Sequence, residues 1–255
     1  MKVVILAGGL GTRLSEETDA IPKPMVEIGG KPILWHIMKI YGEQGFNEFV
    51  VCLGYRGYMI KEYFSNYFSH TCDITLDLKN NQMHVHNNMV EPWVVTLVDT
   101  GQETMTGGRL RAVRNHLGDE TFFLTYGDGL ADIDVKAQLE FHRSHGRSAT
   151  VTGVTPPGRF GVLDVENDTV RGFAEKVDNT QALINGGFFV LEPAVVDLID
   201  GPQTVWEQQP LERLAAEDQL RVYRHTGFWQ PMDTLRDKRE LNGLWNAGRA
   251  PWKVW

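Results

Sequence analysis

MKVVILAGGLGTRLSEETDAIPKPM, residues 1–25, reads as an apolar strand, a glycine-rich turn and two basic side chains. The run VVILA at 3–7 is too short to cross a membrane and suits a strand buried on both faces. Gly8, Gly9 and Gly11 follow at once. A chain leaving a strand there can take positive φ and bring backbone N–H groups close to a ligand. Thr12 adds a hydroxyl donor, Arg13 a planar charged fork and Lys23 a mobile point charge. Together these residues read as a cradle for a nucleoside triphosphate. Glycines alone would also make an ordinary tight turn with solvated charges. The spacing is neither GxGxxG nor a P-loop, because Gly11 is followed by Thr-Arg and not by the P-loop's terminal Gly-Lys-Ser/Thr.

Working outward, 255 residues make one large domain, taken as 1–255, with an excursion at 72–90 and a C-terminal portion at 200–255. Such a chain buries roughly 70–75% of its unfolded surface. A net charge of −8 argues against a nucleic-acid surface and requires a local basic cluster to hold a triphosphate. Arg13, Lys23, Arg109 and Lys176 are the candidates for that cluster. Cys52 and Cys72 form no metal-type pair and read as free thiols. With no signal-like or transmembrane run, a cytoplasmic protein without a membrane partner is expected.

Downstream, Ile33, Ile37, Ile40 and Tyr41 share a helical face, and FVVCL at 49–53 reads as a second buried strand. Ile60, Tyr63, Phe64, Tyr67 and Phe68 recur at helical spacing and read as core. Residues 72–86 read as an antiparallel hairpin about Asn80-Asn81, with His84 and His86 on its polar face. Gly107-Gly108 open a helix carrying Leu110, Val113 and Leu117 after a strand at 94–98. The next strand ends in Tyr126-Gly127-Asp128-Gly129, a carboxylate presented between glycines, as magnesium sites favour. Asp132 and Asp134 read as caps for a helix near Val135. Further strands are expected from Ala149 to Val154, about Asn167-Asp168 and at 188–191, then helices at 211–217 and 234–247. This alternation argues for an α/β protein with a mainly parallel, helix-covered sheet.

LAGGLGTRL with the downstream PKPM resembles the signature of the sugar-1-phosphate nucleotidyltransferases, the nucleotide-sugar pyrophosphorylases. VEIGGKPILWHIMKIY, TMTGGRL, TYGDG, PPGRFGVLD, INGGFFVLEP and GFWQPMDTLRDK extend the resemblance nearly end to end, toward members using CTP and glucose 1-phosphate. It implies a Rossmann-like, mixed sheet and a homo-oligomer, a hexamer or tetramer. By the same resemblance, nucleotide would contact Leu6, Ala7, Gly8, Gly9, Gly11, Thr12, Arg13, Lys23, Thr104, Gly108, Arg109 and Asp128. The sugar phosphate would meet Tyr126, Glu175, Lys176, Asn185, Gly186 and Trp229, with Glu175 on the hydroxyls and Lys176 on the phosphate. Mg2+ would lie on Asp128 and Asp233, although Asp233 also fits the N-cap of the helix that follows it. Arg13, Lys23, Asp128 and Lys176 would carry catalysis.

Thr104 and Arg109 are the polar groups the resemblance sets on the cytosine; alternatively, Arg109 is a solvated first-turn residue. Arginine has donors only, so it suits cytosine O2 or N3 and meets the N3 proton of uracil donor to donor. One departure stands out. After Lys176 the family has a proline and a glycine-rich, aromatic-containing connection, whereas this chain reads VDNTQAL at 177–183, which leaves the hexose open. UTP or dTTP, another hexose 1-phosphate, or a non-catalytic nucleotide-sugar-binding subunit remain as alternatives. The joint presence of Arg13, Lys23, Asp128 and Asp233 speaks against the last.

Overall fold

The computed structural model describes residues 1–9, 11, 20–86, 90–156, 162–166, 169–174 and 183–255, with 162–166 and 169–174 as backbone. Seven strands form the main sheet: β1 (Lys2–Leu6), β2 (Glu48–Leu53), β3 (Val94–Asp99), β4 (Phe122–Tyr126), β5 (Ala149–Val154), β6 (Ile184–Leu191) and β7 (Leu220–His225). Their order is β7-β5-β6-β4-β1-β2-β3. β1 pairs parallel with β2 and β4, and β2 with β3; β6 alone runs antiparallel, against β4 and β5. The expected mixed, mainly parallel sheet is therefore present, with β4 at its centre and β1 beside it.

The strand period of two sends Val3 and Ile5 to one face and Val4 and Leu6 to the other. On the first face they meet Phe49, Val51, Phe123 and Phe188, covered by helix α1 (Ile33–Gly42) through Ile33, Ile37, Ile40 and Tyr41. On the second they meet Cys52, Leu124 and Phe189, covered by Leu110, Val113 and Trp206. Covering both faces is why the central strands are apolar without alternation. Each such side chain, taken fully out of water, contributes about 1.5–3 kcal/mol.

The aromatic stripe is split. Helices α2 (Gly57–Ser65) and α3 (Tyr67–Thr71) are separated at Asn66, whose φ of −102° and ψ of 12° leave the α region. Ile60 and Tyr67 stay buried, but the break turns Phe68 to solvent. The hairpin forms as expected, Asp73–Asp77 against Gln82–His86, with Asn81 at φ 52° in its turn. Helix α4 spans Thr106–Ala112, and α5 (Val135–His145) is capped by Asp134, which accepts from Ala137 N at 2.8 Å. Asp132 does not share the cap; it pairs with His225 at 3.0 Å. Helices α6 (Gln209–Ala216) and α7 (Leu235–Asn246) complete the C-terminal portion. Cys52 is buried and Cys72 half-buried, and they are not bridged. No helix among the described residues is long and apolar enough to cross a membrane.

Candidate active site

Because β1 to β4 run parallel, the turns leaving their carboxyl ends gather on one rim of the sheet, where open α/β folds place ligands. A cleft of about 370 Å³ opens there, lined by Leu6, Ala7, Gly8, Gly9, Gly11, Lys23, Thr104, Met105, Thr106, Arg109, Tyr126 and Asp128. Nine of the predicted nucleotide residues are thus brought together. Thr12, Arg13, Glu175 and Lys176 lie outside the described residues, as do 157–161 and 177–182.

Strand register brings the two predicted metal carboxylates to one point. Gly129–Ala131 pairs antiparallel with Trp229–Pro231, and the ladder runs on through Met232 N to Asp128 O at 2.8 Å. Asp128 and Asp233 then flank the same spot, and the turn Lys23–Met25 delivers an ammonium to it. Lys23 Nζ donates to Asp128 Oδ2 at 2.6 Å and to Asp233 Oδ1 at 2.7 Å. Burial, the largest influence, opposes the charge on Lys23, but the two carboxylates together hold its pKa above the ordinary lysine value. The N-cap of α7 is not Asp233 but Thr234, whose Oγ1 accepts from Asp237 N at 3.2 Å while Asp237 Oδ2 accepts from Thr234 N at 2.9 Å.

As a metal site, this donor set fits magnesium. Two hard carboxylates converge on a point where positive charge already resides, and magnesium takes one or two carboxylates with phosphate oxygens and water. Among the described residues no group of three or more His, Cys, Asp or Glu side chains gathers around a common point, so a protein-only cage is not offered.

Arg109 is not the solvated first-turn residue of the alternative reading: it lines the cleft with its guanidinium buried among backbone carbonyls. Nη1 donates to Leu53 O at 3.0 Å, Thr100 Oγ1 at 2.8 Å and Gly101 O at 2.7 Å, and Nη2 to Gly8 O at 3.0 Å and Gln102 O at 3.1 Å. Three turns are thereby tied to one side chain. Gly8 and Gly54 make room for it: a Cβ on Gly8 would fall 2.2 Å, and one on Gly54 2.6 Å, from Nη1. Gly54, which sequence reasoning passed over, was readable as a glycine closing a buried strand.

Gly108 is not among the residues that line the cleft. Its N–H donates to Thr204 O at 3.1 Å, and a Cβ there would lie 2.3 Å from Pro202 O, so its bareness serves packing against the 201–204 turn. Ala7 N donates to Cys52 O at 3.0 Å and Leu6 O accepts from Gly127 N at 3.0 Å, which leaves these two as walls of the cleft. Gly9 differs: among the described residues nothing lies within 4 Å of a Cβ added to it.

Among the residues expected to meet the sugar phosphate, Asn185 Nδ2 donates to the Tyr126 oxygen at 3.0 Å, and Asn185 Oδ1 accepts from Gly187 N at 2.8 Å. Trp229 Nε1 donates to Gly186 O at 2.7 Å. Tyr126, Asn185, Gly186 and Trp229 therefore form one connected wall. Gly187, at φ 80°, lies where a Cβ would meet the Tyr126 ring at 2.6 Å. Burial first, and then the nearby Glu207, push the Tyr126 phenol pKa well up, so it stays a donor.

The profile of the Nucleotidyl transferase family matches residues 2–229. Over 256 residues, covering all of both chains, the sequence is 61% identical to the glucose-1-phosphate cytidylyltransferase of Salmonella typhi. It is 48% identical over 257 residues, again covering both chains in full, to the "Probable glucose-1-phosphate cytidylyltransferase" of Bacillus subtilis (strain 168). Among solved structures, HddC from Yersinia pseudotuberculosis superposes with a TM-score of 0.69 at 24% identity, covering 96% of this chain and 99% of its own, a likeness of fold. A family profile over most of the chain, full-length relatives and a cleft at the expected rim agree: the chain belongs to the nucleotidyl transferase family.

Proposed function

We propose that this chain transfers CMP from CTP to α-D-glucose 1-phosphate, giving CDP-glucose and pyrophosphate by direct in-line displacement. The observation that carries the reading is the convergence of Lys23, Asp128 and Asp233 at the mouth of the glycine-turn cleft. The full-length relatives with that activity in their names supply the substrates.

The attacking sugar-phosphate oxygen is already ionised at neutral pH, so no side chain has to act as nucleophile or base. What the site must do is align two anions and neutralise them. Unit charges about 4 Å apart repel by about 4 kcal/mol at an effective dielectric near 20. Lys23 is suited to relieve this at the α-phosphate, because its ammonium is a point charge on a flexible stem that can leave the carboxylates. Arg13 would hold the β- and γ-phosphates and Lys176 the attacking phosphate. Asp128 and Asp233 would hold Mg2+, which when bound neutralises phosphate oxygens and the departing pyrophosphate. Tyr126, Glu175, Asn185, Gly186 and Trp229 would orient the hexose. Thr104 is assigned to the cytosine, with Arg109 bracing the turns that shape its pocket.

A cytoplasmic homo-oligomer belongs to the same proposal. The exposed apolar Leu76, Leu78, Met83 and Val85 of the hairpin support the oligomer, and sedimentation tests it. Pyrophosphate release with CTP, UTP and dTTP, each against a panel of hexose 1-phosphates and with or without EDTA, tests the reaction. CTP with glucose 1-phosphate should exceed every other pair and depend on the divalent ion. Comparable turnover with UTP or dTTP would overturn the nucleotide assignment.

A further inference from the structure

Glu207 lies just before α6, outside every motif singled out from the sequence. Its carboxylate bridges two residues that line the cleft: Oε1 accepts from the Tyr126 hydroxyl and Oε2 accepts from the Thr106 hydroxyl at 2.6 Å. The direction of each bond is set by its neighbours. Trp206 N donates to Thr106 Oγ1 at 2.9 Å, so the threonine proton is directed to Glu207. Asn185 Nδ2 donates to the Tyr126 oxygen at 3.0 Å, so the phenol proton is directed there as well. A carboxylate accepts through both oxygens, and bonds to it are about twice as strong as between neutral groups. The bridge is anchored from behind, because the adjoining Trp206 is fully buried in the core.

Thr106 opens α4 beside Thr104, whereas Tyr126 ends β4 against the Asn185–Gly187 turn. The two attachment points come from two different segments that both line the cleft. We propose that Glu207 is a positioning residue that couples the two substrate sites, fixing the separation between bound nucleotide and sugar 1-phosphate. It touches neither substrate and acts through Thr106 and Tyr126. The proposal rests on the reading above that the base lies at the 104–109 turn and the hexose at Tyr126 and Asn185. In-line displacement is sensitive to such spacing, since an error of about 1 Å in placement costs on the order of a hundredfold in rate.

Steady-state kinetics of Glu207→Gln, Thr106→Val, Tyr126→Phe and the Thr106→Val/Tyr126→Phe double variant test it, with Tm recorded for each. Glutamine keeps the shape but offers one acceptor oxygen. Thr106→Val should raise KM for CTP about tenfold and Tyr126→Phe should raise KM for glucose 1-phosphate about tenfold, each sparing the other substrate. Glu207→Gln should raise both KM values and lower kcat about tenfold or more. The double variant should fall short of the product of its single effects in kcat/KM by about fivefold, and that shortfall should vanish when Glu207→Gln is added. Should Thr106→Val and Tyr126→Phe not sort onto separate substrates, the placement of base and sugar fails and the proposal with it. Should they sort while Glu207→Gln shifts Tm and leaves both KM values within twofold, the placement stands and the coupling role is overturned. If Glu207→Gln does not fold, the double variant decides: strictly multiplicative effects overturn the proposal.

Discussion

Replacing Lys23 with Met removes the ammonium that Asp128 and Asp233 share at 2.6 and 2.7 Å. The three side chains are 12%, 30% and 18% exposed, which puts the cluster between surface and interior. A unit-charge pair at this spacing attracts by about 6 kcal/mol at an effective dielectric near 20. Desolvation of Lys23 and water around Asp128 offset most of that. The expected net loss of stability is about 2–3 kcal/mol, or roughly 5–10 °C in Tm for a chain of this size. Divalent ions give the sharper readout. In the nucleotide-free protein the ammonium and a divalent cation compete for the same two carboxylates, so Lys23→Met should bind Mn2+ about tenfold more tightly than the parent. By linkage, added Mg2+ or Mn2+ should raise its Tm by more than the parent's. Turnover should move the opposite way and fall at least a hundredfold, because the α-phosphate loses a counter-charge. Calorimetric or EPR titration with Mn2+, thermal melts and pyrophosphate release measure the three quantities. A variant that binds Mn2+ no better than the parent would refute the shared site.

Three other perturbations separate bracing from binding. Arg109→Leu strips the donor from the carbonyls of Gly8, Leu53, Gly101 and Gln102. Leu53 O keeps the two donors of Thr100, Gly8 O keeps Tyr55 N, and Gly101 and Gln102 are exposed, so urea melts should show a loss of about 1–3 kcal/mol, with KM for CTP and UTP raised alike; a CTP-specific loss would restore Arg109 as a base reader. Gly8→Ala sets a methyl group 2.2 Å from Arg109 Nη1 and should lower Tm, whereas Gly9→Ala meets nothing within 4 Å among the described residues. Gly9→Ala should keep its Tm and lose CTP binding, and full activity there would remove Gly9 from the phosphate cradle. His36, buried and donating to Ile28 O at 2.8 Å, has its pKa lowered to about 4 by burial. The unfolded chain takes up that proton near pH 6.5 and the native state only near 4, so stability falls as pH drops through this window. His36→Gln should flatten that acid limb by about 2–3 kcal/mol in urea titrations across pH.

The sequence by itself determined the elements and the rim. Five apolar residues followed by glycines leave little choice but a buried strand feeding an open turn. Asp128 between two glycines and Asp134 before an apolar period are likewise local statements about φ, capping and face. Thr234 and Asp237 were equally local, three residues apart, and reading that capping box would have taken Asp233 out of the N-cap. What only the tertiary structure decided is where the long charged side chains point. Lys23 meets Asp128 across 105 positions and Asp233 across 210, and the register of Gly129–Ala131 with Trp229–Pro231 brings them together. Arg109 reads in sequence as a donor beside a ligand loop, yet the strand order β4-β1-β2-β3 surrounds it with carbonyls from three turns. Glu207 carries no local signature, since its partners come from the ends of α4 and β4. Periodicity records which face of an element is buried. The partners of a guanidinium or carboxylate are set by which loops the folded sheet places side by side, and no short window of sequence contains that.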